Sequence, residues 1–242
     1  MAGKKSHYMY FNSCPLLDPL TQQWTAIRDE FLAHLTKKFN LDSVSVDSLA
    51  NGEQGAKLNY TTDFFQNQLY HGNFKATSLL LRDTLIDINE AFTIKWPKWR
   101  EPGGNHVMFF EDNIADMPTI EKWMMDNIDV VGGITFNTCL PGSRLNHHWG
   151  LDDNYVRFHL VLKEARGCVF DIENERHEWV NGELFAFDDC NVFHGTKHEG
   201  DDYRIIALID ILKSAVKPYA KNWNVRKYKP REQRKLIQIK DW

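Results

Sequence analysis

The sequence predicts a mainly β protein with flanking helices: a helix-rich N-terminal half packed on an antiparallel β sandwich. Three observations carry this. An apolar stripe with helical spacing lies near the N-terminus. After residue 128, short runs rich in Val, Ile, Phe and Leu follow one another, separated by turn-forming residues. The composition, 43% hydrophobic and 26% charged over 242 residues, is that of an ordinary globular chain able to bury a core without disulfides.

Leu20, Trp24, Ile27, Phe31 and Leu35 recur three or four residues apart, one face of a helix, with Asp18 as its N-cap and Pro19 in its first turn. The polar segment 40–60 reads as loop, 76–92 as a second helix, and 96–106, WPKWREPGGNH, as a loop full of breakers. A further helix is predicted over 118–127. Strands are predicted over 130–139, 155–163, 167–172, 183–187 and 204–212, with PGSR, LDDN, KEARG, ENERHEW and HEGDD as turn material between them. In YVRFHLVL, Arg157 and His159 stand two apart and share a strand face. The chain thus divides into a helix- and loop-rich segment 1–128, a β core 129–212 and an extension 213–242, all within one domain.

Charge is unevenly spread. The chain totals −4, but residues 213–242 hold ten Lys or Arg against two acids, a net of +8, which leaves −12 for residues 1–212. The body is too acidic for a general nucleic-acid binder. The basic extension is expected to contact the acidic body of its own or a neighbouring subunit, which makes a homo-oligomer an expectation. Cys14, Cys139, Cys168 and Cys190 form no CxxC pair, and neither a signal peptide nor an apolar run of membrane-spanning length is visible. The expected setting is reduced and cytoplasmic, with no membrane partner.

The chemistry-bearing residues lie in the β half. His148 and His194, 46 residues apart, each sit at the end of a predicted strand and can meet across a sandwich. Imidazole suits Fe, Zn, Cu and Ni alike, so the pair does not choose a metal. Arg157 and Arg204 interrupt apolar β patterns, and a buried guanidinium needs an anion. That anion is either an internal carboxylate such as Asp210 or Asp189, or a small carboxylate ligand. Two such arginines beside two candidate metal histidines point to a di-acid cosubstrate.

The stretches LPGSRLNHHWGLDDNYVRFHLVL, GELFAFDDCNVFHGT and YRIIALIDI together resemble the aspartyl/asparaginyl β-hydroxylase family. The pattern is met by Pro141, Gly142, His148, Gly150, Arg157, His159, Leu160, Phe187, Asp188, Asp189, His194 and Arg204. It covers about residues 117–212. FDDCNVFH has one residue more before its histidine than the commonest form, and His147 stands where the family often has proline; Gly150 aligns His148.

The resemblance implies a double-stranded β-helix, the jelly-roll or cupin-like core, and an Fe(II)- and 2-oxoglutarate-dependent dioxygenase using O2. It implies that His148 and His194 hold the iron and that Arg204 pairs with the distal carboxylate of 2-oxoglutarate. Arg157 and His159 would lie near the cosubstrate's other end, Asn137 would hydrogen-bond it, and Asp189 would hold a metal-bound water or a ligand histidine. The reaction implied is hydroxylation of an unactivated C–H in an amino acid or a peptidyl Asp/Asn-type residue, with succinate and CO2 as co-products. Arg144 and Arg166 are the cationic candidates for an acidic substrate, and Trp149 and Phe193 candidates for the pocket wall. Most non-haem iron sites add a carboxylate two residues after the first histidine, and here that position is Gly150. Water would fill the gap in a two-histidine hydroxylase and chloride in a halogenase; Asp152 and Asp153 lie too far along without a changed turn. A cupin-like metal-binding protein without oxygenase activity is the reading from another class.

Overall fold

The computed structural model describes residues 6–51, 70–71, 74–82, 107–150, 153–173 and 175–227. Its strands, all antiparallel, form two sheets. The six-stranded sheet has the order β3(Val107–Phe109), β2(Phe74–Arg82), β4(Val131–Cys139), β11(Arg204–Leu212), β6(Tyr155–Lys163), β9(Leu184–Phe187). The five-stranded sheet has the order β1(Tyr70–His71), β5(Arg144–His148), β10(His194–His198), β7(Cys168–Ile172), β8(Glu175–Glu178). This is the jelly-roll arrangement of a double-stranded β-helix.

Alternation along the strands of the larger sheet separates two environments. On β4, β6 and β11 one set of residues, Ile134, Phe136, Val156, Phe158, Leu160, Ile205, Ala207, Ile209 and Ile211, joins the core under the helices. The intervening set faces the other sheet and carries Asn137, Cys139, Arg157, His159, Arg204 and Asp210 among Val161 and Ile206. Polar residues thus sit on the inner face because strand period, and not composition, decides their direction.

Helices α1(Asp18–Gln22) and α2(Trp24–Phe39) cover the outer face, with Leu20, Ile27, Phe31 and Leu35 buried. Phe31 stacks on Phe136 of β4 at 4.4 Å. Burying one such ring contributes roughly 1.5–3 kcal/mol. The single predicted helix is broken at Gln23. Asp18 lies inside the first turn and not at the cap; its carboxylate accepts from the Ser13 hydroxyl and the Cys14 N–H. Helix α2 ends on Asn40, in the left-handed region at φ 51°, after Lys37 and Lys38 in its last turn.

Other expectations are corrected. Segment 40–60 contains a short helix, α3(Val46–Asn51), started by a reciprocal pair in which Ser45 and Ser48 each accept the other's N–H. Residues 74–82 are strand β2 and not the start of a helix; buried on both faces, it loses the two-residue alternation that marks a strand. The N-terminal segment therefore lends β1, β2 and β3 to the sheets. Strands β5, β8 and β10 lie in RLNHH, ERHE and HGTKH, too polar to read as strands, so ENERHEW is not turn material throughout. Helix α4(Glu111–Ile114) precedes the predicted helix, α5(Pro118–Asp126), whose Ile120, Trp123 and Met124 are buried. Residues 83–92 and the loop 96–106 lie outside the described residues.

After β11 the chain turns through α6(Lys213–Val216) and a 3-10 turn at Lys217–Tyr219. It then runs back along the body. Lys213 meets Asp153 at 2.7 Å, Arg226 meets Glu173 at 2.6 Å, and Asn222 and Asn224 bond the backbone of Tyr8 and Ser6. The rest of the basic extension, 228–242, with its expected subunit contact, lies outside the described residues.

Candidate functional site

His148 closes β5 and His194 opens β10, and the two are register partners in the smaller sheet. Their rings are 4.3 Å apart, centroid to centroid. Nδ1 of His148 lies 2.9 Å from the carbonyl oxygen of Asn146, and Nδ1 of His194 lies 3.0 Å from that of Val192. A carbonyl only accepts, so both Nδ1 atoms carry the proton and both Nε2 atoms are left as lone-pair donors. Burial, then the neighbouring His194, pushes the His148 imidazole down to about 3, so it stays neutral.

Asp189, just past β9, supplies the negative charge. Its Oδ1 lies 3.1 Å from His194 Nε2 and 3.3 Å from Arg157 Nη1. Burial alone would raise its pKa, but Arg157 and His194 outweigh it and hold the carboxyl well below the usual range. A neutral His194 has only one N–H, already given to Val192. Its Nε2–carboxylate contact therefore calls for a positive centre, a second proton or a metal ion. Two Nε2 lone pairs beside a carboxylate form a donor set that fits a divalent cation of borderline softness. Among the described residues no group of three or more His, Cys, Asp or Glu is arranged to enclose an ion.

Gly150 has no room for a side chain. A Cβ there would stand 1.4 Å from Asp189 Oδ2, so the Asp189 carboxylate fills the space a side chain at 150 would need. The Gly150 N–H also donates to the Asp189 carbonyl at 2.8 Å. Asp153 is engaged by Lys213 and Asn191, and Asp152 lies outside the described residues.

The two adjacent histidines separate cleanly. His147 turns away from His148, and its Nε2 lies 3.1 Å from Asp171 on β7. Gly195 lies between them in the sheet; a Cβ there would meet the His147 ring at 3.2 Å. Phe193 packs on His147 and Trp149, at 5.0 and 4.9 Å. Arg166 is exposed, and Arg144 lies opposite Lys197, at the other end of β5 from His148.

The larger sheet presents its polar residues to the same interior. Arg157 places Nε and Nη2 each 2.9 Å from the two oxygens of Asp210, a bidentate pair, and turns Nη1 to Asp189. His159 is buried, its ring stacked at 21° and 5.6 Å on Trp179, and among the described residues its Nδ1 has no hydrogen-bond partner. Burial, then Arg204 and Arg157, lowers its pKa well below the usual imidazole value. Arg204, only 1% exposed, donates from Nη2 to Asn137 Oδ1 at 2.7 Å and lies 4.8 Å from the Trp179 ring centroid. Among the described residues no carboxylate meets it.

Trp179 went unseen in the sequence reading. Its only signal is a lone large aromatic in the polar run ENERHEWVNG. A cleft of about 800 Å³ lined by His34, Lys37 and Asp116 lies apart from these residues, with Lys37 and Asp116 already paired. Among the described residues no helix is long and apolar enough to cross a membrane.

Human aspartate beta-hydroxylase domain-containing protein 2 is 30% identical over 86 residues, 34% of this chain and 23% of that protein. Mouse aspartate beta-hydroxylase domain-containing protein 1 is 32% identical over 83 residues, 33% of this chain and 23% of that protein. The matches thus span about a quarter of those relatives' length. Among solved structures, a cupin-like protein from Thermotoga maritima aligns with a TM-score of 0.35 at 10% identity, over 69% of this chain and 84% of that one. A viral collagen prolyl hydroxylase from Paramecium Bursaria Chlorella virus-1, in a 2OG complex, aligns with a TM-score of 0.31 at 15% identity, over 47% and 76%. Likenesses this distant carry no argument about this chain. The model of the aspartyl/asparaginyl beta-hydroxylase family matches residues 21–214, most of the chain and every inward residue named above, and the chain belongs to that family.

Proposed function

We propose that the protein is an Fe(II)- and 2-oxoglutarate-dependent hydroxylase acting on an unactivated C–H of an amino acid or a peptidyl Asp/Asn-type residue. One observation carries the reading: a histidine pair beside a carboxylate, and a buried arginine that no carboxylate meets among the described residues, face the same interior. A ferrous ion on His148 and His194, with 2-oxoglutarate and O2, would supply the oxidising equivalents for hydroxylation and release succinate and CO2.

The chain's own residues do the placing. The carbonyls of Asn146 and Val192 fix both ring tautomers so that both Nε2 atoms are presented together. Asp189 balances the positive charge there, and Arg157, clamped by Asp210, keeps Asp189 ionised and in place. Arg204 takes the far carboxylate of the cosubstrate, its fork aimed by Asn137 and backed by the Trp179 face. His159 stays uncharged between the two arginines, with Nδ1 available for one hydrogen bond. Hydroxylation is favoured over halogenation because the Asp189 carboxylate fills the space beside Gly150, and a halide there would meet a fixed negative charge.

The test is succinate release from 2-oxoglutarate with Fe(II) and O2, over a panel of free amino acids and Asp- or Asn-containing peptides. Succinate and a product heavier by one oxygen are expected with at least one of them, lost in excess chelator and restored by Fe(II). Full turnover in chelator, or a chlorinated product in chloride buffer, would contradict the reading.

A further inference from the structure

We propose that Arg226, with Lys213 beside it, is a positioning residue for the metal end: from the segment after β11 it fixes both ends of the turn 188–194 that carries Asp189 and His194. The inference rests on the reading of His148, His194 and Asp189 as that end.

The first end of the turn is Asp188, next in the chain to Asp189 and fully buried. Its Oδ2 accepts the backbone N–H of Arg226 at 2.8 Å, and its Oδ1 lies 3.2 Å from Lys213 Nζ. Asn191 Nδ2 donates to the same carboxylate at 3.1 Å. A carboxylate taken out of water needs such donors, so the segment after β11 and the turn are held to each other. The Asp188 carbonyl accepts the N–H groups of Asn191 and Val192, which closes the turn on itself. The Val192 carbonyl then accepts from Nδ1 of His194. A continuous line of hydrogen bonds thus runs from Arg226 to the ring of His194.

The second end is Phe193. Its carbonyl accepts the Glu173 N–H at 3.0 Å. Both terminal nitrogens of Arg226 grip the Glu173 carboxylate, at 2.6 and 2.7 Å, a bidentate pair. Glu173 stands at φ 49°, a left-handed conformation that Gly or Asn usually takes, just after Ile172, the register partner of His194. One residue therefore holds Asp188 with its backbone and reaches Phe193 through Glu173 with its side chain.

Arg226 is itself tied to the sheet. Segment 6–12 bonds β9 on one side, through Met9 and Ala186, and segment 219–224 on the other. The larger sheet thus sets where Arg226 meets the turn. Arg157 steadies Asp189 from the interior, and Arg226 steadies the same turn from outside.

The test uses the full chain, histidine-labelled for NMR. In the metal-free protein the Nδ1–H of His194 is expected as a slowly exchanging ring proton. Arg226→Met should speed that exchange at least ~10-fold and leave the His34 ring, bonded to Asp116, unchanged. With Co(II) as probe, affinity should fall about 10-fold, the low end for outer partners of metal ligands, and the visible bands should shift. Arg226→Lys keeps the charge and the backbone N–H but loses the fork, and should fall between. Lys163→Met removes an ion pair with Asp202 at the other end of β6 from Arg157 and should move neither signal. A His194 proton that exchanges alike in Arg226→Met and the unsubstituted chain, or the same change in Lys163→Met, would overturn the proposal. An unsubstituted protein that takes up no Co(II) would refute the metal reading instead, and the His194 proton of the metal-free chain would still decide the role of Arg226.

Discussion

The two arginines of the inner face differ in where their counter-charge comes from. Arg157 is closed by the protein itself, bidentate to Asp210 and bonded to Asp189. Arg204 is more deeply buried, and yet the described residues offer it a neutral amide and an indole face. A guanidinium removed from water is costly unless an anion meets it. The first arginine is therefore a finished internal structure that steadies the metal end. In the proposed function the second is a receptor whose anion arrives from outside, and its place on β11, six residues before Asp210, sets it well along the interior from that end.

The largest expected effect lies at the metal end. His194→Ala removes one Nε2 and leaves Asp189 with Arg157 alone. Since outer partners of metal ligands are worth about 10–100-fold, the loss of a ligand should weaken Fe(II) or Co(II) binding by at least ~100-fold and abolish turnover. Equilibrium dialysis showing binding within ~10-fold of the unsubstituted protein would remove His194 from the site.

The closed and open arginines should also differ in what their partners contribute to stability. Asp210→Ala strips Arg157 of a bidentate partner. Because Arg157 keeps Asp189 and is 24% exposed at its side chain, the cost should fall near 2–3 kcal/mol, below the ~3–5 of a fully stranded buried charge. Asn137→Ala takes one neutral acceptor from Arg204 and should cost about 1 kcal/mol. Urea unfolding of both variants checks the order, and equal losses would erase the distinction drawn between the arginines.

His159 senses both charges at once. Its folded-state pKa is held below the unfolded value of about 6.5, so the unfolded chain takes up its proton first. The contribution of neutral His159 is complete above about pH 6.5 and declines as pH falls towards the folded value, by up to ~1.4 kcal/mol per unit. Unfolding of the metal-free protein between pH 7 and 5 should show this slope reduced in His159→Asn; parallel curves would mean the ring is not held neutral. The smallest effect is expected of Trp179→Leu. Losing a cation–π face worth about 1 kcal/mol should weaken 2-oxoglutarate roughly five-fold and leave metal binding unchanged.

Legibility in the sequence followed the same division. The strands under the helix layer, β4, β6 and β11, are long apolar runs and are read nearly to the residue, and Arg157, His159 and Arg204 stand out in them as polar intruders. The smaller sheet is polar on its outer side and carries histidines within, so β5, β8 and β10 show no apolar period. Strand β2 shows no two-residue period either, since Phe74 and residues 76–80 are buried on both faces. Family resemblance placed His148 and His194, but not what they donate to, because backbone carbonyls leave no mark in a side-chain pattern. Nor could spacing show that Asp189 fills the room beside Gly150, a contact made across two loops. Asp210 was visible as a partner for Arg157; Trp179 was not visible as a partner for Arg204, since a planar stack needs only proximity in space.

The most direct test of the central claim, that Arg204 awaits a carboxylate from outside, is anaerobic calorimetric titration of the Fe(II)-loaded protein with 2-oxoglutarate and with 2-oxobutyrate, which lacks the distal carboxylate. A charge-assisted hydrogen bond contributes about 1.5–3 kcal/mol, so the unsubstituted protein should prefer 2-oxoglutarate by at least ~10-fold. In Arg204→Met that preference should vanish while Fe(II) affinity is retained. Equal affinities for the two acids in the unsubstituted protein, or a preference that survives Arg204→Met, would make Arg204 a structural residue and contradict the assignment.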